Sequence, residues 1–341
     1  MQACARRIAA ALGLALAVGA CAPAALKPED QTPLVWPDEP DAPRIAFVKE
    51  FTRPDDFGIA KGFFQRLAEV IFGAGEERLL RPMAVAAVNG VVYVADPGAK
   101  GVHRFDPVAE RYDLIVAEGG NPLPSPVGLA RGGEGEVYVT DSVLAAVLVI
   151  RPGAKVAVPI ALPAMGQPTG IAFDAATGRL YVVDTTAHRV NVFNRDGTLR
   201  ATFGQRGSGD GGFNYPTQIW REPRGRLYVT DSLNFRIQIL NEQGRFLGKF
   251  GQAGDGTGDF MRQKGVATDR YGHVYVVDAL LGAFQIFDDS GRLLLSVGDL
   301  GGKRGEFWLP TGIFVGDDDM IYIADSFNQR IQQFRYVGGP P

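Results

Sequence analysis

The chain has 341 residues, a formal net charge of −3 and 46% apolar residues, enough to fill a large core. Its 35 basic and 38 acidic residues include no long basic block, which excludes a general nucleic-acid surface, where affinity comes mainly from phosphate neutralisation. Forty-four glycines, 22 prolines and two cysteines fit a turn-rich all-β protein without a disulfide framework.

In chain order, Arg6 and Arg7 precede an apolar run from Ile8 to Val18, too short to span a bilayer as a lasting anchor. The run ends in Val18-Gly19-Ala20-Cys21, which resembles the lipobox of bacterial lipoproteins. The resemblance implies that residues 1–20 are a signal peptide and that Cys21 is acylated as the first mature residue. An ordinary secretory signal cleaved near Ala20 or Ala22 is the competing reading. Cleavage would remove Cys4, Arg6 and Arg7 and take the formal charge from −3 to −5, leaving no thiol in the folded part. Ala22 is not the aspartate that favours inner-membrane retention in lipoproteins of enteric bacteria. The expected location is therefore the bacterial cell envelope, lipid-anchored and periplasm-facing, with the outer membrane favoured over the inner.

Residues 21–43 carry Pro23, Pro28, Pro33, Pro37, Pro40 and Pro43, which predicts an extended tether. Arg44–Phe51 has strand character. Lys61–Phe72 places Phe63, Phe64, Leu67, Val70 and Ile71 at helical spacing, so one short helix is expected there, packed near the first repeat.

The rest of the chain is periodic. Asp96, Asp141, Asp184, Asp231, Asp278 and Asp325 each follow a short apolar strand, at spacings of 45, 43, 47, 47 and 47 residues. Short strands and glycine turns at this period predict four-stranded antiparallel sheets in an array. The expected fold is an all-β, six-bladed β-propeller over residues 44–337, with blade cores near 82–117, 126–162, 168–204, 216–251, 263–298 and 310–336. The last repeat stops after its third strand, so residues 44–51 are expected to complete it and close the ring.

The chain resembles the NHL-repeat propellers over about residues 81–336. The resemblance rests on Pro168-Thr169-Gly170-Ile171-Ala172, on the Tyr-Val-x-Asp strands, on Asp231–Arg236 and Asp325–Arg330 (Asp-Ser-x-Asn-x-Arg), and on the loops Gly204–Phe213, Gly251–Phe260 and Gly298–Phe307. It implies a fold shared by scaffolds, RNA-binding modules, receptor sensor domains and a few lyases, and so says little about activity.

Antiparallel order puts all six aspartates at one face, called upper here. Arg189, Arg236 and Arg330 follow five residues after three of them and are expected to clamp their loops. The same position holds Gly101, Ala146 and Ala283 in the other three, which suggests unpartnered carboxylates at Asp96, Asp141 and Asp278. Val143, Leu144, Leu280 and Leu281 make two of those loops apolar, and Phe235 and Phe327 lie in corresponding loops. An apolar rim beside free carboxylates is a candidate docking surface, and inward folding of these side chains is the plainer alternative. Met83, Val127, Thr169, Thr217, Lys264 and Thr311 are expected to face the channel axis, with Lys264 and the threonines as a candidate ligand pocket.

The three histidines, His103, His188 and His273, fall at different levels of the repeats. A strand separates the faces by about 17 Å, so they are not expected to converge on zinc, as the family's zinc lyase would require. No catalytic residue and no cofactor is expected, and an oxygen-ligated structural calcium ion in the channel is compatible with the sequence. The reading at this level is a monomeric, lipid-anchored scaffold that binds a protein or peptide partner, not nucleic acid, through its upper face. The alternatives are a metal-assisted lyase or lactonase and a small-molecule sensor using the central channel.

Overall fold

The computed structural model describes residues 33–59 and 77–339. The signal segment, Cys21, most of the tether and the helix expected over 61–72 lie outside the described residues. Among the described residues there is no α-helix, only strands and short 3-10 turns.

Among the described residues, six successive four-stranded units are present. The third is the simplest: Pro168–Asp174, Arg179–Asp184, Arg189–Phe193 and Leu199–Phe203 pair antiparallel in sequence order. The units starting at Pro216 and Gln263 repeat that order. The first two units are fused into one eight-stranded sheet, because Val116 and Ala117 on the outer strand of one pair in parallel with Val156 and Ala157 on the outer strand of the other. The inner strand of each unit touches the inner strand of the next, and Pro310–Val315 touches Ala84–Val88, so the units close into a ring.

The closeness at the centre explains the inner-strand glycines. A Cβ on Gly312 would lie 2.7 Å from the Met83 carbonyl oxygen, and one on Gly170 would lie 2.5 Å from Gln218 Cα. Any larger residue would force adjacent units apart. Between units the core is built from alternating strand residues, with Tyr181, Tyr228, Tyr275, Phe193, Phe284, Phe287 and Phe334 fully buried. Phe213, Phe260 and Phe307 reach in from the linking loops and are also fully buried. Each ring lies against a glycine of positive φ (Gly204 +90°, Gly251 +95°, Gly298 +95°), a site where a side chain would be strained and would strike the ring.

The last unit is completed from the amino-terminal side. Ile45–Phe51 pairs antiparallel with Arg330–Tyr336, in a register that sets Ile45 opposite Tyr336 and Phe51 opposite Ile331. Arg330 Nη1 binds Glu50 Oε2 at 2.6 Å, fastening the junction. The tether expected up to residue 43 ends earlier than that. Val35–Trp36 forms a fifth strand on Ile45–Phe51, the Trp36 ring packs 5.7 Å from Phe334, and Phe47 N–H donates to Leu34 O. The prolines between them only turn the chain back, and the folded body starts at Leu34.

Candidate functional site

The upper face is organised by the six aspartates, all of them fully buried. Each closes the second strand of its unit and accepts hydrogen bonds from the loop that enters the same unit. Asp96 takes Leu80 and Arg81 N–H, Asp141 takes Ser125 N–H, and Asp184 takes Gly166 and Gln167 N–H. Asp231 takes Asn214 N–H, Asp278 takes Met261 and Arg262 N–H, and Asp325 takes Trp308 N–H.

The arginine pattern divides as the sequence suggests, with a different consequence. Arg236 and Arg330 each donate from Nε to their aspartate at 2.7 Å and also to carbonyls of the linking loop. Arg189 is looser, 3.7 Å from Asp184 and 40% exposed. Where the arginine is missing, the loop turns its own N–H groups onto the carboxylate: Ala99 onto Asp96, Val143 and Leu144 onto Asp141, Leu280 and Leu281 onto Asp278. These are Asx-type turns. Asp96, Asp141 and Asp278 are therefore neither free nor able to touch a partner, which corrects the expectation of unpartnered rim carboxylates. Burial raises the Asp96 pKa, but His103 and the Leu80 and Arg81 N–H groups outweigh it and hold the carboxyl below its ordinary value.

The apolar part of the rim stands out from the face. Val143 is 68% exposed, Leu144 45%, Leu280 44% and Phe327 56%, whereas Phe235 and Leu281 are half-buried. The linking loops add exposed Trp308, Met261, Tyr215 and Leu300, and the Ser232–Asn234 turn adds Leu233, none of which the repeat pattern singles out. Trp308 and Phe327 pack ring on ring at 6.3 Å. Trp308 and Met261 each stand two residues before an inner strand, and their own N–H groups bind Asp325 and Asp278. The apolar side chains are thus carried on backbone that the buried aspartates fix.

Met83, Val127, Thr169, Thr217, Lys264 and Thr311 come together around one cavity of about 200 Å³ at the upper mouth of the channel, joined by Ser142, Gln167 and Gln218. In five units the inner strand is irregular at this level: the pairing shifts between Pro126 and Gly128, Pro168 and Ile171, Pro216 and Gln218, Gln263 and Val266, and Pro310 and Ile313. Such bulges re-aim a side chain, and here they fall on the residues that face the axis. Among the described residues no group of three or more histidine, aspartate or glutamate side chains is placed to hold a metal ion. His103 and His188 are buried in their own units, and His273 binds Asp269 at 2.7 Å.

The ring of four-stranded sheets and its axial cavity define a β-propeller. The NHL repeat matches residues 165–193, and a family described as a 6-bladed beta-propeller matches residues 220–284. The protein is thus a β-propeller, with one stretch that matches the NHL repeat. No curated protein matches the sequence. Among solved structures, a streptogramin B lyase is similar at 15% identity and TM-score 0.56, over 76% of this chain and 94% of the lyase. The virginiamycin B lyase of Staphylococcus aureus is similar at 16% and 0.55, over 75% of this chain and 95% of that one. An auxiliary nutrient binding protein of Bacteroides thetaiotaomicron is similar at 13% and 0.61, over 77% of this chain and 71% of that one. At these identities the likeness is one of fold.

Proposed function

We propose that this propeller is a non-catalytic binding scaffold of the bacterial cell envelope, anchored by lipid on Cys21, facing the periplasm and capturing a protein or peptide partner on its upper face. The observation that carries the reading is the exposure of Val143, Leu144, Leu280, Trp308 and Phe327 on loops held rigid by buried aspartates. Rigid apolar anchors bind at low entropic cost, and aromatic residues supply most of the energy in such interfaces. Specificity comes from the shape of the rim, because the six aspartates are buried. The auxiliary nutrient binding protein of the same fold supports a binding role, and the lyases of the same fold keep an enzymatic reading in view.

The test is capture of a partner from membranes by the tagged protein after crosslinking. Replacing Leu144, Leu280 and Trp308 with serine should abolish capture of the band seen with the parent protein, while the unfolding free energy from urea titration stays within about 0.5 kcal/mol of the parent's. Undiminished capture would defeat the reading.

A further inference from the structure

Units three and four treat the residue facing the axis alike. Thr169 Oγ1 lies 2.7 Å from Thr185 Oγ1, and Thr217 Oγ1 lies 2.7 Å from Ser232 Oγ. Thr185 and Ser232 each directly follow the buried aspartate of their unit. In unit five the axial residue is Lys264, and the position after Asp278 is Ala279, which offers no side-chain oxygen. Among the described residues the Lys264 ammonium forms no ion pair and no hydrogen bond. Asp278, the nearest carboxylate influence, has its oxygens committed to the N–H groups of Met261, Arg262, Leu280 and Leu281. Burial and the charge of Arg262 push the lysine pKa below its ordinary value, with Asp278 opposing. The group gives up hydration and gains no counter-ion, which is unfavourable for a purely structural lysine.

The hydroxyls around it show a preferred polarity. Thr185 donates to Pro216 O at 2.8 Å, so in its bond with Thr169 it accepts, and the hydrogen comes from Thr169. Thr169 therefore offers the cavity lone pairs, not a hydrogen. Thr311 likewise directs its hydrogen toward the Pro82 and Ala324 carbonyls. The mouth thus presents one uncompensated cation with Thr169 and Thr311 as oxygen acceptors in the same cavity. Its volume of about 200 Å³ holds several waters and suits a small metabolite.

We propose that the channel mouth binds a small carboxylate that also carries hydroxyl groups, the carboxylate resting on Lys264 and the hydroxyls donating to Thr169 and Thr311. This site goes beyond the partner surface and does not depend on it, since none of the exposed rim side chains takes part.

Calorimetric titration of the full chain with D-gluconate, D-glucitol and hexanoate separates the requirements. These six-carbon probes carry both features, hydroxyls alone and a carboxylate alone. Gluconate should bind, and the other two should bind at least about tenfold more weakly, as expected for loss of a charge-assisted or a neutral set of hydrogen bonds. Lys264→Gln should weaken gluconate by about tenfold or more without lowering the unfolding midpoint. Thr169→Val, which keeps the ammonium, should weaken it as well. Absence of gluconate binding, equal binding of glucitol or hexanoate, or undiminished binding in both variants would overturn the proposal.

Discussion

At the scale of single residues, chemistry that looks functional and chemistry that is architectural exchange places. Asp278 has the look of a free carboxylate in the sequence because its partners are backbone N–H groups, which no residue pattern announces. Asp278→Asn would turn an amide toward the Met261 or Arg262 N–H and should cost about 2–4 kcal/mol in urea unfolding, as expected when buried donors lose their acceptor. Folded Asp96 ionises below its ordinary value, so its contribution is complete above about pH 4 and fades as pH falls through the lower folded-state value. Asp96→Ala should flatten that acid limb in a plot of stability against pH.

Lys264 has the opposite sign. Its folded-state pKa lies below that of the unfolded chain, so its penalty is constant below the folded value and is relieved as pH rises toward about 10.4. Lys264→Gln should therefore raise the melting temperature at neutral pH, and the gain should shrink in strong alkali. The axial position of Lys264 was legible because it directly precedes an inner-strand glycine, Gly265. Its lack of a counter-ion was not, because that depends on which N–H groups occupy Asp278.

At the scale of elements, the period of the aspartates and the missing fourth strand of the last repeat were enough to assign Ile45–Phe51 to Arg330–Tyr336. Val35–Trp36 escaped because a two-residue strand between prolines has no periodicity to detect. Its contact with Phe334 predicts a sharp difference between two truncations. A chain beginning at residue 34 should keep the parent unfolding midpoint. One beginning at residue 52 should lose the cooperative transition, since it leaves Phe334 without Trp36 and Phe47 and exposes a whole strand edge. Within the longer chain, Phe334→Ala should cost about 3–5 kcal/mol, measured in the same titration. The apolar loops at Val143–Leu144 and Leu280–Leu281 could be read from composition. Trp308 and Met261 could not, because glycine-rich linkers suggest turns and hide the residues that end them.

At the scale of the molecule, stability belongs to the closed circuit. Each inner strand is confined by its neighbours on both sides, so a fault at one junction should be felt throughout. Gly312→Val places a branched side chain against Met83 and Ala84, where the last unit meets the first. It should lower the single unfolding midpoint of the whole ring instead of releasing one unit, which fluorescence and circular dichroism would report as coincident transitions.

The pairing of Ile45 with Tyr336 also orders events in time. The Ile45–Phe51 strand must wait for the last hairpin, with its hydrogen-bonding groups and the apolar faces of Phe47 and Phe51 unsatisfied until the two ends of the ring meet. Such late, sequence-distant docking makes assembly slow and leaves a window in which two unfolded chains could trade their leading segments. A protein built this way has reason to depend on a holding chaperone until its ring closes.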